Sequence, residues 1–499
     1  MVEKVAYILS QITESLPHLM PEFWLAGLFV VLIILDLIFK HKSQILLWLA
    51  IVTLLPVLIS LIGHWQAQTT TALFGGMLQL DNLAVFAKIL LTIGLFFTFL
   101  LSIFSQEPGK KYGEYYIIFI PLLLGTFLMT MATNLLSMYL AIELVSIASF
   151  VLVVFRFKQA AYESGIKYLL FGALSSGVML YGMSLLYGFT GTLEFTSAIF
   201  IYNLKAVDPS LAMMAGVMVA VGLLFKLSLV PFHFWAPDAY EKAPIPVIAF
   251  ISIAPKIAAF IILYRVVSSF LAVSDIFVDV QYDWSGPLSI LALASILFGN
   301  IAALRQTNAK RMMAYSSIAH SGFILIGLIS FSSNGLYGMF FYLSIYLFMN
   351  MAAFFAIQFL YKKTGSENMQ DYAGLGIQYP FWGVIILVAM IALVGLPPTA
   401  GFSAKFFIFT SLWQSYQATQ ESLLLVLFII GLINAAISLA YYLRIPYVLF
   451  FKAQNNVKLS DKKNVLEIIL GIIIVLPLLL FFFKADWLYD MVNNIKFAF

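Results

Sequence analysis

The feature that constrains this chain most is a succession of apolar stretches, each about 20 residues long and nearly free of charge. That is the length of helix needed to cross the hydrocarbon core of a bilayer. Fourteen such spans can be read, at 23–40, 43–63, 82–104, 115–132, 134–155, 165–189, 211–232, 243–264, 286–304, 312–331, 336–361, 381–411, 422–450 and 465–483. The breaks hold the charges and turn residues, as from Glu107 to Lys111 and from Lys362 to Asp371. Within lipid every backbone N–H and C=O must be satisfied inside the protein, and a helix does this locally. The sequence therefore predicts an all-α integral membrane protein with 14 transmembrane helices and no long linker. Composition excludes a soluble enzyme, since 63% of the residues are hydrophobic, 10% are charged and the mean hydropathy is +1.00. Soluble domains carry about 25% charge.

Loop cations predict the orientation, because Lys and Arg concentrate on the cytoplasmic side. With fourteen spans, seventeen loop cations fall on one side: Lys40, Lys42, Lys110, Lys111, Arg156, Lys158, Lys242, Arg305, Lys310, Arg311, Lys362, Lys363, Arg444, Lys452, Lys458, Lys462 and Lys463. The side that includes both termini has five: Lys4, Lys205, Arg265, Lys484 and Lys496. This asymmetry predicts a multi-pass protein of the cell (inner) membrane with both termini on the periplasmic side.

The remaining cations, Lys88, Lys167, Lys226, Lys256 and Lys405, lie inside spans. Charge at membrane depth is costly, and such residues usually face a polar interior and mark ion paths or proton relays. Lys88 and Lys167 lie within about two turns of a span end, where a lysine side chain can snorkel to the interface; Lys167 also reads as support for a relay. Lys256 is 13 residues into its span, about 20 Å along a helix and so near the bilayer centre. Lys226 precedes Pro231 by five residues, and Lys405 follows the interruption Gly395–Leu396–Pro397–Pro398–Thr399–Ala400–Gly401. Proline opens a helix by removing an N–H and clashing with the preceding turn. Broken backbone at this depth is tolerated only where protein buries it or water lines it. Glu143, nine residues into its span, reads as the one deeply buried carboxylate and hence as the partner of Lys226. His320 lies mid-span beside Ser316, Ser317 and Ser321, a setting for a relay or for an interhelical contact. His233 is placed at a cytoplasmic helix end and is the weaker candidate.

Chemistry of other kinds has no residues to carry it. With no cysteine, the chain can hold neither a Cys-ligated iron–sulfur cluster nor a thiolate zinc site. No G-x-G-x-x-G opens a helix after a strand, and no phosphate-binding G-x-x-x-x-G-K-[ST] occurs. No metal-binding histidine pair is present, and nothing points to nucleic acid. A desolvated lysine gains and loses a proton near neutral pH. The residues alone thus predict an ion or proton translocator that draws its energy from elsewhere.

Four strings carry a specific resemblance: FKLSLVPFHFWAPDAYEKAPIPVIAFISIAPKIAAF at 225–260, GIKYLLFGALSSGVMLYG at 165–182, QTNAKRMMAYSSIAHSGF at 306–323 and GLPPTAGFSAKF at 395–406. They resemble the subunit N family of respiratory NADH–quinone oxidoreductase (complex I), over most of the chain from Asp81 to Tyr447. Multisubunit sodium/proton antiporters share the broken helices and supply the alternative function. The resemblance implies that Glu143, Lys226, Lys256 and Lys405 form the proton relay, with His320, Lys167 and His233 as possible support. It implies partnership with the other membrane and peripheral subunits of complex I. NADH, FMN, iron–sulfur clusters and quinone would be used in those subunits, with no cofactor or metal in this chain. It also implies two inverted five-helix repeats with broken helices 7 and 12, expected at 113–265 (helices 4–8) and 286–452 (helices 9–13). Helices 1–3 would occupy 1–112 and helix 14 would lie in 453–499.

Overall fold

A computed structural model describes residues 2–39, 43–68, 70–107, 111–277, 281–452 and 465–495, with no side-chain description before residue 9. Of the loop cations counted above, Lys40, Lys42, Lys110, Lys458, Lys462, Lys463 and Lys496 lie outside the described residues, as does the Lys4 side chain.

Among the described residues, thirteen helices are long and apolar enough to cross a membrane. Numbered by span, they are α1 Leu9–Ile38, α2 Ser43–Ala67, α3 Asn82–Phe104, α4 Gly113–Met131, α5 Leu135–Val153, α6 Gln159–Thr190, α7a Pro209–Leu227, α8 Ile245–Ile276, α9 Ser285–Leu304, α10 Ala309–Ile329, α11 Ser333–Thr364, α13 Ser422–Phe451 and α14 Val465–Phe483. The twelfth span is divided into α12a, Pro380–Val394, and α12b, Ala400–Thr419. The seventh resumes as α7b, Trp235–Lys242. Fourteen spans are thereby accounted for, and both breaks expected from the prolines are present. A two-stranded antiparallel hairpin, β1 Thr71–Leu73 with β2 Leu78–Leu80, joins α2 to α3. At its turn Gly76 has φ +85°, a left-handed backbone that favours glycine.

Local signals set the helix ends. Asp81 accepts the Ala84 N–H at 2.8 Å to cap α3, and Asn308 accepts the Arg311 N–H at 3.1 Å to cap α10. Such side-chain acceptors satisfy donors that the first helical turn leaves orphaned. Left-handed Gly191 and Gly365 end α6 and α11.

Burial separates the core from the lipid-facing shell. The most apolar window of α8 is 100% buried, and those of α10 and α11 are each 94% buried, against 28% for α1 and 39% for α2. Exposed apolar residues such as Leu37, Ile59 and Leu174 belong to the outer helices. A bundle in lipid gains nothing by hiding leucine. Charges, serines and tyrosines are drawn to the centre, and α8, α10 and α11 carry them.

The cation-rich face is tied by ion pairs that cross between distant loops. Arg156 binds Glu107 at 2.6 Å and Glu367 at 2.7 Å, and the fully buried Lys310 binds Glu367 at 2.9 Å. Burial works against charge on Glu367, but Lys310 and Arg156 beside it hold its carboxyl below the usual carboxylate range. It therefore stays ionised at neutral pH. Arg311 binds Asp238 and Glu241, each at 2.8 Å, and so fastens α7b to the start of α10.

Candidate proton relay

Three buried lysines each sit at an interruption of their span. In α7 the chain leaves the helix at Ser228, which is left-handed, and resumes at Trp235. The backbone groups freed there are met by side chains: Val230 N–H donates to Ser295 Oγ at 2.9 Å, Trp235 Nε1 donates to the Phe225 carbonyl at 3.0 Å, and Ser321 Oγ donates to the Leu227 carbonyl at 2.7 Å. In α12, left-handed Gly395 ends the first half, and a Cβ on Gly401 would lie 1.9 Å from the Ala392 carbonyl oxygen. The third interruption went unread in the sequence: α8 loosens at Ser252 and Ile253, because Pro255 has no N–H for the preceding turn. Lys256 follows at once, in the first turn beyond that break.

Each lysine finds a different environment. Lys226 is 2% exposed, and its Nζ has no hydrogen-bond partner among the described residues. The rings of Phe150, Tyr168 and Phe225 surround it at 5.5–5.7 Å, a cation–π cage. Lys256 is 1% exposed and donates to the Ser317 carbonyl at 2.9 Å, Ser317 Oγ at 2.6 Å and Ser321 Oγ at 2.7 Å. Lys405 donates to the Val394 and Leu393 carbonyls at 2.5 and 3.4 Å and lies 5.0 Å from the Phe323 ring. A cation is favoured there, since the last carbonyls of α12a form the negative end of its dipole.

His320, 2% exposed, stands between the Tyr342 hydroxyl at Nδ1 (2.8 Å) and the Tyr442 hydroxyl at Nε2 (2.9 Å). Its ring lies 4.8 Å from that of Tyr346, whose hydroxyl donates to Ser317 Oγ at 3.0 Å. Helix α10 thus presents Ser317 and Ser321 to Lys256 and His320 to a tyrosine cluster. Those tyrosines were missed in the sequence. The signal was available in Tyr342 and Tyr346, one helical turn apart in an otherwise apolar span, and in the adjacent Tyr441 and Tyr442.

Other expectations are corrected. Glu143 and Lys226 form no direct ion pair among the described residues. Glu143 is half-buried and turns toward α6, where Ser176 Oγ donates to it, while aromatic rings occupy the space around the ammonium. Nor is Glu143 the one deeply buried carboxylate, for Glu22, Glu107 and Glu467 are 5%, 4% and 6% exposed. Lys88 does not snorkel: it is fully buried and binds Glu22 at 2.6 Å. Lys167 is half-exposed and pairs with Glu163 at 2.8 Å and Asp238 at 3.2 Å, so it sits in the ion pairs of the cation-rich face. His233 lies buried within the broken segment, between the rings of Phe234 and Phe298 at 4.4 and 4.5 Å, and not at a helix end. No group of three or more His, Cys, Asp or Glu residues able to hold a metal occurs among the described residues.

Residues 132–433 match the family described as NADH:quinone oxidoreductase/Mrp antiporter, transmembrane. NADH-quinone oxidoreductase subunit N of Chlorobium chlorochromatii is 36% identical over 458 residues, covering 90% of this chain and 88% of that protein. A chain of the respiratory complex I structure from Thermus thermophilus superposes with a TM-score of 0.79 at 27% identity, covering 96% of this chain and all of that one. A chain of the Mrp complex from Dietzia sp. superposes with a TM-score of 0.82 over 95% of this chain and 96% of that one. At 17% identity this last likeness shows the fold alone. With its broken seventh and twelfth helices and its line of buried lysines, the chain belongs to the NADH-quinone oxidoreductase subunit N family.

Proposed function

We propose that Lys226, Lys256, His320 and Lys405 carry protons through this chain, with Glu143 setting the field at the Lys226 end and with Lys167 and His233 in supporting positions. The chain is a membrane-arm subunit of a proton-translocating NADH–quinone oxidoreductase. Redox cofactors reside in other subunits of that complex, and those subunits are its partners. The observation that carries the relay is that each of the three lysines sits at a helix interruption inside the bundle. A lysine held by rings alone, as Lys226 is, has no hydrogen bond to forfeit when it gives up its proton. Lys256 and Lys405 instead present acceptors fitted to the ammonium. Lys256 and Lys405 therefore hold a proton in better solvation than Lys226 does, and the tyrosine–His320 cluster links Lys256 to the second half. The trigger is a change in charge near Lys226, not the breaking of a contact ion pair with Glu143.

The proposal divides the bundle into two five-helix units, α4–α8 and α9–α13, after helices α1–α3 and before α14. In its support, the fourth helix of each unit is the one divided into two separate segments, and an odd-numbered unit repeated in tandem reverses its orientation. The first unit extends to Ile276, because α8 continues beyond 265.

The test is Lys256→Met, which keeps the bulk of the side chain and removes the titrating group. In vesicles matched for assembled complex, protons taken up per NADH oxidised are expected to fall well below wild type. An unchanged ratio defeats the relay.

The same reading places the cation-rich face in the cytoplasm and both termini outside it. Since the chain has no cysteine, Val2→Cys and Lys158→Cys can be labelled one at a time with an impermeant thiol reagent. Val2→Cys is expected to react only from the periplasmic side and Lys158→Cys only from the cytoplasmic side. The reverse pattern overturns the orientation.

A further inference from the structure

We infer that the Tyr240 hydroxyl is the uptake step of the relay, handing protons from the cation-rich face to Lys256 through Ser317. This rests on the reading of Lys256 as a relay lysine.

All three hydrogens of the Lys256 ammonium are engaged, so exchange must pass through one of its acceptors. The Ser317 carbonyl has no hydrogen to give. Ser321 Oγ directs its own hydrogen to backbone carbonyls, those of Leu227 at 2.7 Å and Ser317 at 3.0 Å. Ser317 Oγ is different, because it also touches two tyrosine hydroxyls, Tyr346 at 3.0 Å and Tyr240 at 3.3 Å. A hydroxyl both donates and accepts, so Ser317 can pass a proton on as it receives one. Tyr346 belongs to α11 and leads toward His320. Tyr240 belongs to α7b and leads the other way. Its neighbour Glu241 binds Arg311 at 2.8 Å, and Lys310 donates to the Ala243 carbonyl at 2.9 Å. These contacts clamp the end of α7b to the start of α10 and so fix the buried Tyr240, one residue from the ion-paired Glu241, with its hydroxyl at Ser317.

The transfer balances without an added reactant. Tyr240 Oη takes a proton from the cation-rich side and releases its own hydroxyl hydrogen to Ser317 Oγ. Ser317 releases its hydrogen to the neutral Lys256 amine, which becomes the ammonium. One O–H breaks as another forms at each oxygen, and rotation of the two hydroxyls resets the line.

Tyr240→Phe removes one oxygen and preserves the ring. In vesicles matched for assembled complex, we expect its proton-to-NADH ratio to fall to that of Lys256→Met. The double variant is expected to fall no further, since two blocks in one line do not add. A wild-type ratio for Tyr240→Phe beside an impaired Lys256→Met overturns this inference and leaves the relay standing; a wild-type ratio for Lys256→Met defeats the relay itself. Additive losses in the double variant also overturn the inference. A trifluorotyrosine at position 240 keeps the shape while making the hydroxyl more acidic. It is expected to shift the pH profile of pumping toward lower pH, which a merely structural hydroxyl would not do, and an unshifted profile counts against the inference.

Discussion

Lys226→Arg is expected to assemble at wild-type levels and still lose nearly as much proton pumping as Lys226→Ala. The position is enclosed by Phe150, Tyr168 and Phe225. A guanidinium stacks on aromatic faces at least as well as an ammonium does. If the charge of Lys226 only stabilises the bundle, arginine is therefore a mild change. A relay makes a further demand, because its cation must release a proton in every cycle. Arginine, with a pKa above about 12, does not. The two roles separate on this one substitution, and the absence of a contact ion pair sharpens the separation. With no carboxylate among the described residues seated on Lys226, the alanine variant leaves none of them stranded as a salt-bridge partner. NADH-driven proton uptake at matched complex content is the measurement. Wild-type pumping by the arginine variant removes Lys226 from the relay.

The largest stability effect is expected at Lys88. Its ammonium and the Glu22 carboxylate meet at 2.6 Å, with their side chains 0% and 6% exposed. The lysine also rests against Met131 Sδ at 2.9 Å and over the Phe127 ring at 5.6 Å. Removing one partner of a buried pair leaves an uncompensated charge and costs about 3–5 kcal/mol. Replacing both partners by uncharged groups of similar volume is often neutral. Lys88→Ala is therefore expected to lower the thermal midpoint of the complex, and Glu22→Gln with Lys88→Met to restore most of it. Equal midpoints for wild type and Lys88→Ala exclude the pair as a fastening between α1 and α3. Neither residue belongs to the relay line, so the doubly substituted complex is expected to pump.

Legibility from sequence followed the range of the interaction concerned. Fourteen spans, the breaks at Pro231 and Pro397–Pro398, and the isolation of Lys226, Lys256 and Lys405 rest on local chain chemistry. A bilayer imposes one length on every span, and proline acts on its own turn. The break in α8 was equally local, at Pro255, but sat in the middle of a long, mostly apolar span with no glycine beside it to mark it.

Which groups meet across helices was another matter. In the sequence Glu143 and Lys226 read as a pair because each needs a partner, yet α5 turns the carboxylate toward Ser176 and three rings take its place. Lys88 lay close enough to a span end to snorkel, but α1 brings Glu22 to it inside the bundle. Tyr240, Tyr342, Tyr346 and Tyr442 come from three different spans, and no spacing in the chain says that they converge on α10. The sequence by itself determined a fourteen-span bundle with ionisable residues at its interruptions, since lipid penalises every unsatisfied polar group wherever it stands. Only the tertiary structure decided which hydroxyl, ring or carbonyl faces each lysine. That choice depends on the rotation and depth of each helix against its neighbours, which packing sets and local sequence does not.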